Sequence, residues 1–401
     1  MKGLVSMTLE GDWAVERYSA SGSGPRVGVK DIIDLAGRVT GVGSKLVASR
    51  ALPAERDAPI ISQIRERGGL VVAKCTLVEL AYGSQGINPF YGTPRNPIAP
   101  DLVPGGSSSG SAVGVCSDEL DWAIGTDTGG SVRIPAACCG IYGLKTSVGR
   151  VSTEGVWPLA PSLDTVGPLA ASLEDLSVGL ALLLESTSRS EDRSHSIAWR
   201  VRTASSSFLE EAIDATLKAA SLLAPELSPV LDLGELWSMG TRVMNYEAWR
   251  HDSYLLAEAH RMDPQVAKRL RGASSVSAME VEEARWYRRR IRRVLDEILA
   301  QDAVLALSTI PFAIPTFAQA YDRWLNVNTL PFNFLGYPAL VMPIPLRFLA
   351  EVGVVRSAAD LGQGLGANGA EVPPSLQLVG AMGSEERLLA TARRLNAVVA
   401  P

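Results

Sequence analysis

The sequence predicts an α/β protein whose central sheet is mixed and twisted and is covered by helices on both faces. Short apolar segments typical of buried strands alternate along the chain with longer segments whose apolar residues recur at helical spacing. The 401 residues are 46% hydrophobic and 20% charged, a composition that provides ample apolar side chains for a packed core.

Each element is predicted from its own pattern. Residues 27–29 form a short apolar segment that ends at Lys30, after a turn rich in glycine, serine and proline. The segment from Ser172 to Leu184 has helical spacing, with Glu174 and Asp175 in the first turn, where the helix dipole favours acidic residues. By the same criteria, the predicted strands are residues 27–29, 70–73, 121–124, 303–307, 339–342 and 376–379, and the predicted helices are residues 58–67, 172–184, 278–300 and 386–399.

The segments between these elements are loops. Residues 83–106 and 125–130 are rich in glycine, and residues 186–207 are polar and rich in serine and arginine, which predicts a surface excursion. No repeat or linker divides the chain, so we expect a single domain over residues 1–401. Its catalytic core is expected at about 24–185 and 300–401, with a more variable helical insertion at about 186–300.

Charge and cysteine content restrict the class of partner. The net charge is −5, which argues against nucleic acid, and the arginine clusters at 288–290 and 292–293 share a helical pattern with acidic residues. The four cysteines show no CxxC spacing and are typical of reduced thiols. The N-terminus lacks a signal-peptide pattern, and the longest apolar region, 334–350, is interrupted by prolines. We therefore expect a cytoplasmic protein with no membrane partner.

Two familiar motifs match in letters but not in context. Residues 106–110 fit GxSxG with Ser108 as nucleophile, yet loop residues precede them, and the three histidines, His195, His251 and His260, are interpreted as surface residues. Residues 364–369 fit GxGxxG but neither follow a strand nor open a helix, so a flexible loop is expected. No HExxH or P-loop motif is present, and we expect no metal and no cofactor.

Residues 105–145 carry two glycine- and serine-rich loops around a short helix and strand. Glycines such as Gly129 allow positive φ and let backbone N–H groups approach a ligand, as an oxyanion hole requires. A serine nucleophile needs a base, and a buried lysine supplies one where desolvation lowers its pKa. Lys30, Lys74 and Lys145 all adjoin predicted strands or loops, and the sequence pattern leaves the choice among them open.

The chain resembles the amidase signature family over almost its whole length. Residues 29–31 are similar to that family's catalytic-lysine segment, residues 105–111 to its glycine-serine loop, and residues 125–136 to its nucleophile segment. LPFNFLGYP at 330–338 and QLVG at 377–380, followed by Glu385 and Glu386, are similar to its C-terminal signatures. So many ordered matches make chance agreement very improbable.

The resemblance implies a serine-serine-lysine triad. It makes Ser131 the nucleophile, Ser107 the bridging serine after a cis peptide bond, and Lys30 the base, while Lys74 matches a strand position without a catalytic role. It also implies further roles: Thr128, Gly129, Gly130 and Ser131 as oxyanion-hole donors, Asp127 and Arg133 as loop-ordering residues, and Tyr82, Trp157, Phe312 and Phe332 as candidate substrate-binding walls.

The resemblance further implies hydrolysis of a small-molecule amide. The loop at 82–97 is most similar to short indole-acetamide hydrolases, which suggests a small aryl or alkyl primary amide, cleaved to an acid and ammonia. Two alternatives stay open: the glutamine-hydrolysing subunit of a tRNA-dependent amidotransferase, and a non-catalytic binding protein. A homodimer also stays open.

Overall fold

The computed structural model describes residues 10–185, 194–222, 224–227, 231–355 and 371–400. The GxGxxG segment at 364–369 and part of the predicted surface excursion at 186–207 lie outside the described residues.

Ten of the described strands form one mixed sheet, in the order β2-β4-β3-β6-β8-β7-β11-β12-β10-β9, and β1 pairs separately with β5. The strands are β1 (Glu10–Gly11), β2 (Ala14–Arg17), β3 (Arg26–Lys30), β4 (Leu70–Cys75), β5 (Thr93–Pro94), β6 (Trp122–Asp127), β7 (Tyr142–Lys145), β8 (Thr165–Ala170), β9 (Ile197–Arg200), β10 (Ala303–Ser308), β11 (Ala339–Pro343) and β12 (Ser375–Val379). Strand β3 runs parallel to both β4 and β6, and β9 runs parallel to β10. The remaining neighbours in the large sheet are antiparallel.

Helices connect and cover these strands. They are α1 (Lys45–Ala48), α2 (Pro59–Glu66), α3 (Ser109–Cys116), α4 (Arg133–Cys138), α5 (Leu173–Leu183), α6 (Ser207–Ala219), α7 (Leu233–Asp252), α8 (Pro264–Ala273), α9 (Ala278–Leu299), α10 (Leu330–Leu335), α11 (Leu346–Glu351) and α12 (Glu385–Val399), with 3-10 helices at Glu79–Ala81, Ser253–Arg261 and Phe317–Gln319. The longest, α9, begins at a capping box in which Ser277 and Glu280 satisfy each other's backbone N–H groups. None of the described helices combines the length and apolarity needed to cross a membrane.

The core lies on both faces of the sheet. Along β10, Val304 and Ala306 belong to one hydrophobic cluster and Leu305 and Leu307 to another, because successive side chains of a strand point to opposite faces. Helices α5, α6 and α12 supply the first cluster, and α7, α9 and α10 supply the second. The predicted fold class, a mixed sheet with helices on both faces, is confirmed.

The prediction is wrong in three places. Residues 197–200 form edge strand β9 rather than part of a surface excursion, and β6 continues to Asp127 where a loop was expected. His195 is 1% exposed instead of lying on the surface. Its Nδ1 lies 2.8 Å from Thr391 Oγ1, and burial lowers the pKa of His195 to about 3. Residues 197–200 pair with β10, but the polar residues around them in the sequence give no strand pattern.

Candidate active site

Sheet topology places Lys30 at the edge where the site forms. Strands β3 and β6 are parallel neighbours, with Val29 opposite Ile124, so their carboxyl ends lie together. Lys30 is the last residue of β3 and its side chain is fully buried. Its Nζ lies 2.7 Å from Ser107 Oγ and 2.7 Å from Thr126 Oγ1 near the end of β6.

The loop before α3 brings two serines to this edge. The Gly106–Ser107 peptide bond is cis, and the Val78 N–H donates to the Ser107 carbonyl at 3.2 Å. The Ser108 N–H donates to the Ser131 carbonyl at 3.2 Å, so the Ser107–Ser108 segment lies directly against Ser131. Ser107 is completely buried, whereas Ser131 is 8% exposed and faces a cavity. The structure therefore places Lys30 against Ser107 and the backbone that follows Ser107 against Ser131.

Burial makes Lys30 suited to act as a base. Desolvation lowers its pKa to about 7, although the carboxylates of Asp127 and Asp164 oppose the shift. Within the described residues, no carboxylate lies within salt-bridge distance of its ammonium group. A large fraction of Lys30 is consequently neutral near pH 7 and able to accept a proton.

The two other candidate lysines contact no serine in the described part of the chain. Lys74 forms a buried ion pair with Asp31 at 2.8 Å and donates to the Val39 carbonyl. Lys145 donates to the Thr146 carbonyl at 2.8 Å, and burial lowers its pKa to about 7 as well. Geometry thus separates three lysines among which the sequence pattern could not choose.

Asp127 organises the loop that carries Ser131. Its carboxylate accepts hydrogen bonds from the N–H groups of Gly130, Val132 and Arg133, and it forms a fully buried ion pair with the Arg133 guanidinium at 2.9 Å. The Arg133 charge and its hydrogen bonds hold the pKa of Asp127 well below its usual range despite burial. Asp127 and Arg133 together fix the backbone on both sides of Ser131.

The C-terminal signatures complete this network. Asn333, in LPFNFLGYP, donates to the Asp127 carbonyl at 2.8 Å and accepts from Arg133, while Gln377, in QLVG, accepts from Arg133 at 2.6 Å. Thr329 Oγ1 donates to the Gly129 carbonyl at 2.7 Å. Both signatures are recognisable in the sequence, which does not indicate a role for these side chains. The structure shows that they support the Ser131 loop from about 200 residues away.

The four predicted oxyanion donors differ in their availability. The Gly130 N–H donates to Asp127 Oδ1 at 2.7 Å, so the expectation that it faces a substrate does not fit this geometry. Among the described residues, no acceptor is bonded to the N–H groups of Thr128, Gly129 and Ser131. Three donors therefore remain free beside the nucleophile candidate.

Ser131 faces a cavity of about 220 Å³. Its lining comprises Ala81, Tyr82, Gly83, Ser84, Thr128, Gly129, Ser131, Ile134, Leu159, Trp237, Thr241, Met244, Asn245, Arg269, Trp324 and Asn326. Tyr82, one of the four predicted substrate-binding residues, belongs to this lining. Its ring is buried, and its hydroxyl donates to Asn245 Oδ1 at 2.5 Å.

The other three aromatic residues do not line this cavity. Trp157 packs edge-on against His251, Phe312 stacks with Arg323 beside a separate cavity, and Phe332 is completely buried in the core cluster with α7 and α9. An aromatic residue near a signature motif fills the core as readily as a pocket, because both surroundings are apolar.

The sequence did not predict that helices α7 and α8 line the cavity that Ser131 faces. Helix α7 contributes Trp237, Met244 and Asn245, and α8 contributes Arg269. Apolar spacing in residues 233–243 offered a signal for α7, but nothing in one sequence indicates which helix covers a given loop.

The GxSxG interpretation, with Ser108 as the nucleophile, requires a histidine base beside that serine. Ser108 is fully buried, and its Oγ faces the Thr126 carbonyl at 3.4 Å rather than a histidine. His195 contacts Thr391 and His251 contacts Asp252 at 2.7 Å. No histidine lines the Ser131 cavity among the described residues.

Comparisons of the sequence and of the structure with known proteins agree on one family. A profile of the Amidase family matches residues 23–220. The chain is 32% identical to 2-amino-5-chloromuconic acid deaminase of Comamonas testosteroni, an alignment covering 93% of this chain and 81% of that protein. A crystal structure of an amidase superimposes with a TM-score of 0.80 at 30% identity, covering 94% of this chain and 84% of that one.

A shorter segment is more closely similar to a plant enzyme. It is 51% identical over 156 residues to Amidase 1 of Arabidopsis thaliana, which is 39% of this chain and 37% of that protein. The matched segment thus spans about two fifths of the plant amidase.

Proposed function

Because the chain belongs to the Amidase family, we propose that it hydrolyses carboxylic amides through an acyl-enzyme on Ser131, with Ser107 and Lys30 as the proton relay. The observation that carries the proposal is the 2.7 Å contact between Lys30 Nζ and Ser107 Oγ, both fully buried, beside a Ser131 that faces the cavity. The relay needs such a buried, uncharged amine next to a hydroxyl.

In the first step, neutral Lys30 accepts a proton from Ser107 while Ser107 accepts one from Ser131. Ser131 Oγ forms a bond to the amide carbonyl carbon, and the free N–H groups of Thr128, Gly129 and Ser131 stabilise the oxyanion. Ser107 then gives a proton to the leaving nitrogen and regains one from Lys30, because an amine is a poor leaving group unless it is protonated, and the carbon–nitrogen bond breaks to leave the acyl group on Ser131. Water gives a proton through Ser107 to neutral Lys30 as it attacks the acyl carbon, and the same proton returns to Ser131 Oγ as the acid leaves.

The cavity favours a small substrate. Its volume of about 220 Å³ lies below the ~300–1,000 Å³ usual for drug-sized ligands, and Ile134, Leu159 and Met244 supply apolar wall. We propose a small primary amide with an aryl or alkyl acyl group, which releases ammonia.

Ammonia release from a panel of amides of graded acyl size, by the isolated chain and by Ser131→Ala, tests the proposal. We expect turnover of small amides by the wild type and its loss in Ser131→Ala. Turnover that needs added protein subunits would favour the amidotransferase alternative. A folded chain that hydrolyses no amide would favour a binding protein.

A further inference from the structure

We infer that the substrate carries a carboxylate at the far end of its acyl chain and that Arg269 binds this carboxylate. The inference rests on the proposed function, since it concerns the cavity that Ser131 faces, and it narrows the substrate class to monoamides of short dicarboxylic acids.

Arg269 is held in one orientation in the cavity wall. Its Nη1 donates to the Tyr82 carbonyl at 2.5 Å. The guanidinium carbon lies 5.4 Å from the centroid of the Tyr82 ring and 5.3 Å from that of Trp324. A planar cation fixed between two rings loses little further freedom when it binds an anion.

This guanidinium has no anionic partner among the described residues. Two arginines that are almost completely buried do have one: Arg133 pairs with Asp127, and Arg200 pairs with Glu210 and Asp214. Asp263, on the N-terminal side of α8, accepts from the Gln265 N–H at 2.7 Å instead of contacting Arg269. The single hydrogen bond of Arg269 in the described chain leaves its other N–H donors free.

Basic residues line the cavities beside Arg269, although the charge of Asp263 also acts on its guanidinium. No aspartate or glutamate lines the Ser131 cavity within the described chain. A neighbouring cavity of about 260 Å³ shares Arg269 and Trp324 with it and adds Lys268 and Arg323, again without an acidic residue in its described lining. The basic side chains grouped here, on a chain of net charge −5, favour an anionic ligand.

Size and shape favour a carboxylate on a short chain. The Ser131 loop forms one part of the 220 Å³ cavity wall and Arg269 another, and the apolar side chains of Ile134 and Leu159 contribute to the same lining.

 The planar guanidinium edge of an arginine matches the two oxygens of a carboxylate. A short chain with an amide at one end and a carboxylate at the other therefore fits both the reacting serine and the unpaired cation.

Matched substrates test the inference. Succinamate is compared with butanamide, and glutaramate with pentanamide, for the wild type, Arg269→Gln and Arg271→Gln. Arg271 is an exposed residue of the same helix and serves as the charge-matched control. We expect the wild type to prefer the charged member of each pair by about 10- to 100-fold in kcat/KM, as loss of a hydrogen bond to a charged group implies. The preference should collapse in Arg269→Gln, mainly through KM, and persist in Arg271→Gln.

A second measurement uses the wild type alone, in case Arg269→Gln does not fold. Succinate should inhibit hydrolysis of the best amide in the panel at a concentration at least about 10-fold lower than butanoate does. Equal inhibition by the two acids, or a preference that survives Arg269→Gln, overturns the inference while leaving Ser131-dependent hydrolysis intact. Absence of Ser131-dependent turnover for every amide, from a folded chain, contradicts the proposed function instead.

Discussion

Replacing Lys30 by methionine removes the amine but keeps an unbranched side chain between Ser107 and Thr126. Loss of a general base lowers kcat/KM by about 10²- to 10⁴-fold. In the wild type the pKa of Lys30 is about 7, because burial disfavours the ammonium form. About a tenth of the amine is then neutral at pH 6 and about nine tenths at pH 8, so kcat/KM should rise roughly tenfold over this interval and level off above it.

The assay is the initial rate of ammonia release across this pH range, at substrate concentrations well below KM. Lys145→Met is the necessary control, because burial lowers the pKa of Lys145 to about 7 too, yet its Nζ contacts the Thr146 carbonyl rather than a serine. We expect Lys145→Met to keep the rise with pH. A flat wild-type profile, a Lys30→Met enzyme with more than a tenth of wild-type activity, or loss of the rise in Lys145→Met alone would each refute the reasoning.

Two further substitutions test how the Ser131 loop is held. Asp127→Asn leaves a completely buried guanidinium without its anion, so it should lower the free energy of unfolding, measured by chemical denaturation, by about 3–5 kcal/mol. Asp118→Asn, at a fully exposed carboxylate, should change this free energy little. A loss under about 1 kcal/mol for Asp127→Asn would contradict the role of the Asp127–Arg133 network. Gly130→Ala should reduce kcat by at least about 100-fold, because its φ is +126° and an added Cβ would lie 2.3 Å from Thr329 Oγ1, displacing the oxyanion donors. Gly149→Ala, at φ +78° with open space in the described chain around the added Cβ, is the control, and equal effects at the two glycines would contradict this account.

The sequence predicted the elements whose signal is local. Strands β3, β4, β10, β11 and β12 follow from short apolar runs, and α9 follows from apolar spacing over 22 residues. Edge strand β9 was missed because its pairing with β10 joins residues about 100 positions apart, which no local window contains.

In the candidate site, too, some features follow from the sequence and others depend on the three-dimensional fold. Motif resemblance selected Lys30 and Ser107, whose side chains the structure places 2.7 Å apart. The hydrogen bond of the Gly130 N–H to Asp127 depends on how the loop folds back on itself, and the position of Phe332 depends on which face of α10 meets the core. Arg269 lies on a helix far along the chain from the serine loops, so three-dimensional structure was needed to find it.

Covalent labelling tests the central claim most directly. The folded wild-type chain is treated with a fluorophosphonate, and the modified peptide is identified by tandem mass spectrometry, with Lys30→Met labelled in parallel. The account predicts a single adduct on Ser131 that forms much more slowly in Lys30→Met. An adduct on Ser108, or no adduct on Ser131 in folded protein, would contradict it.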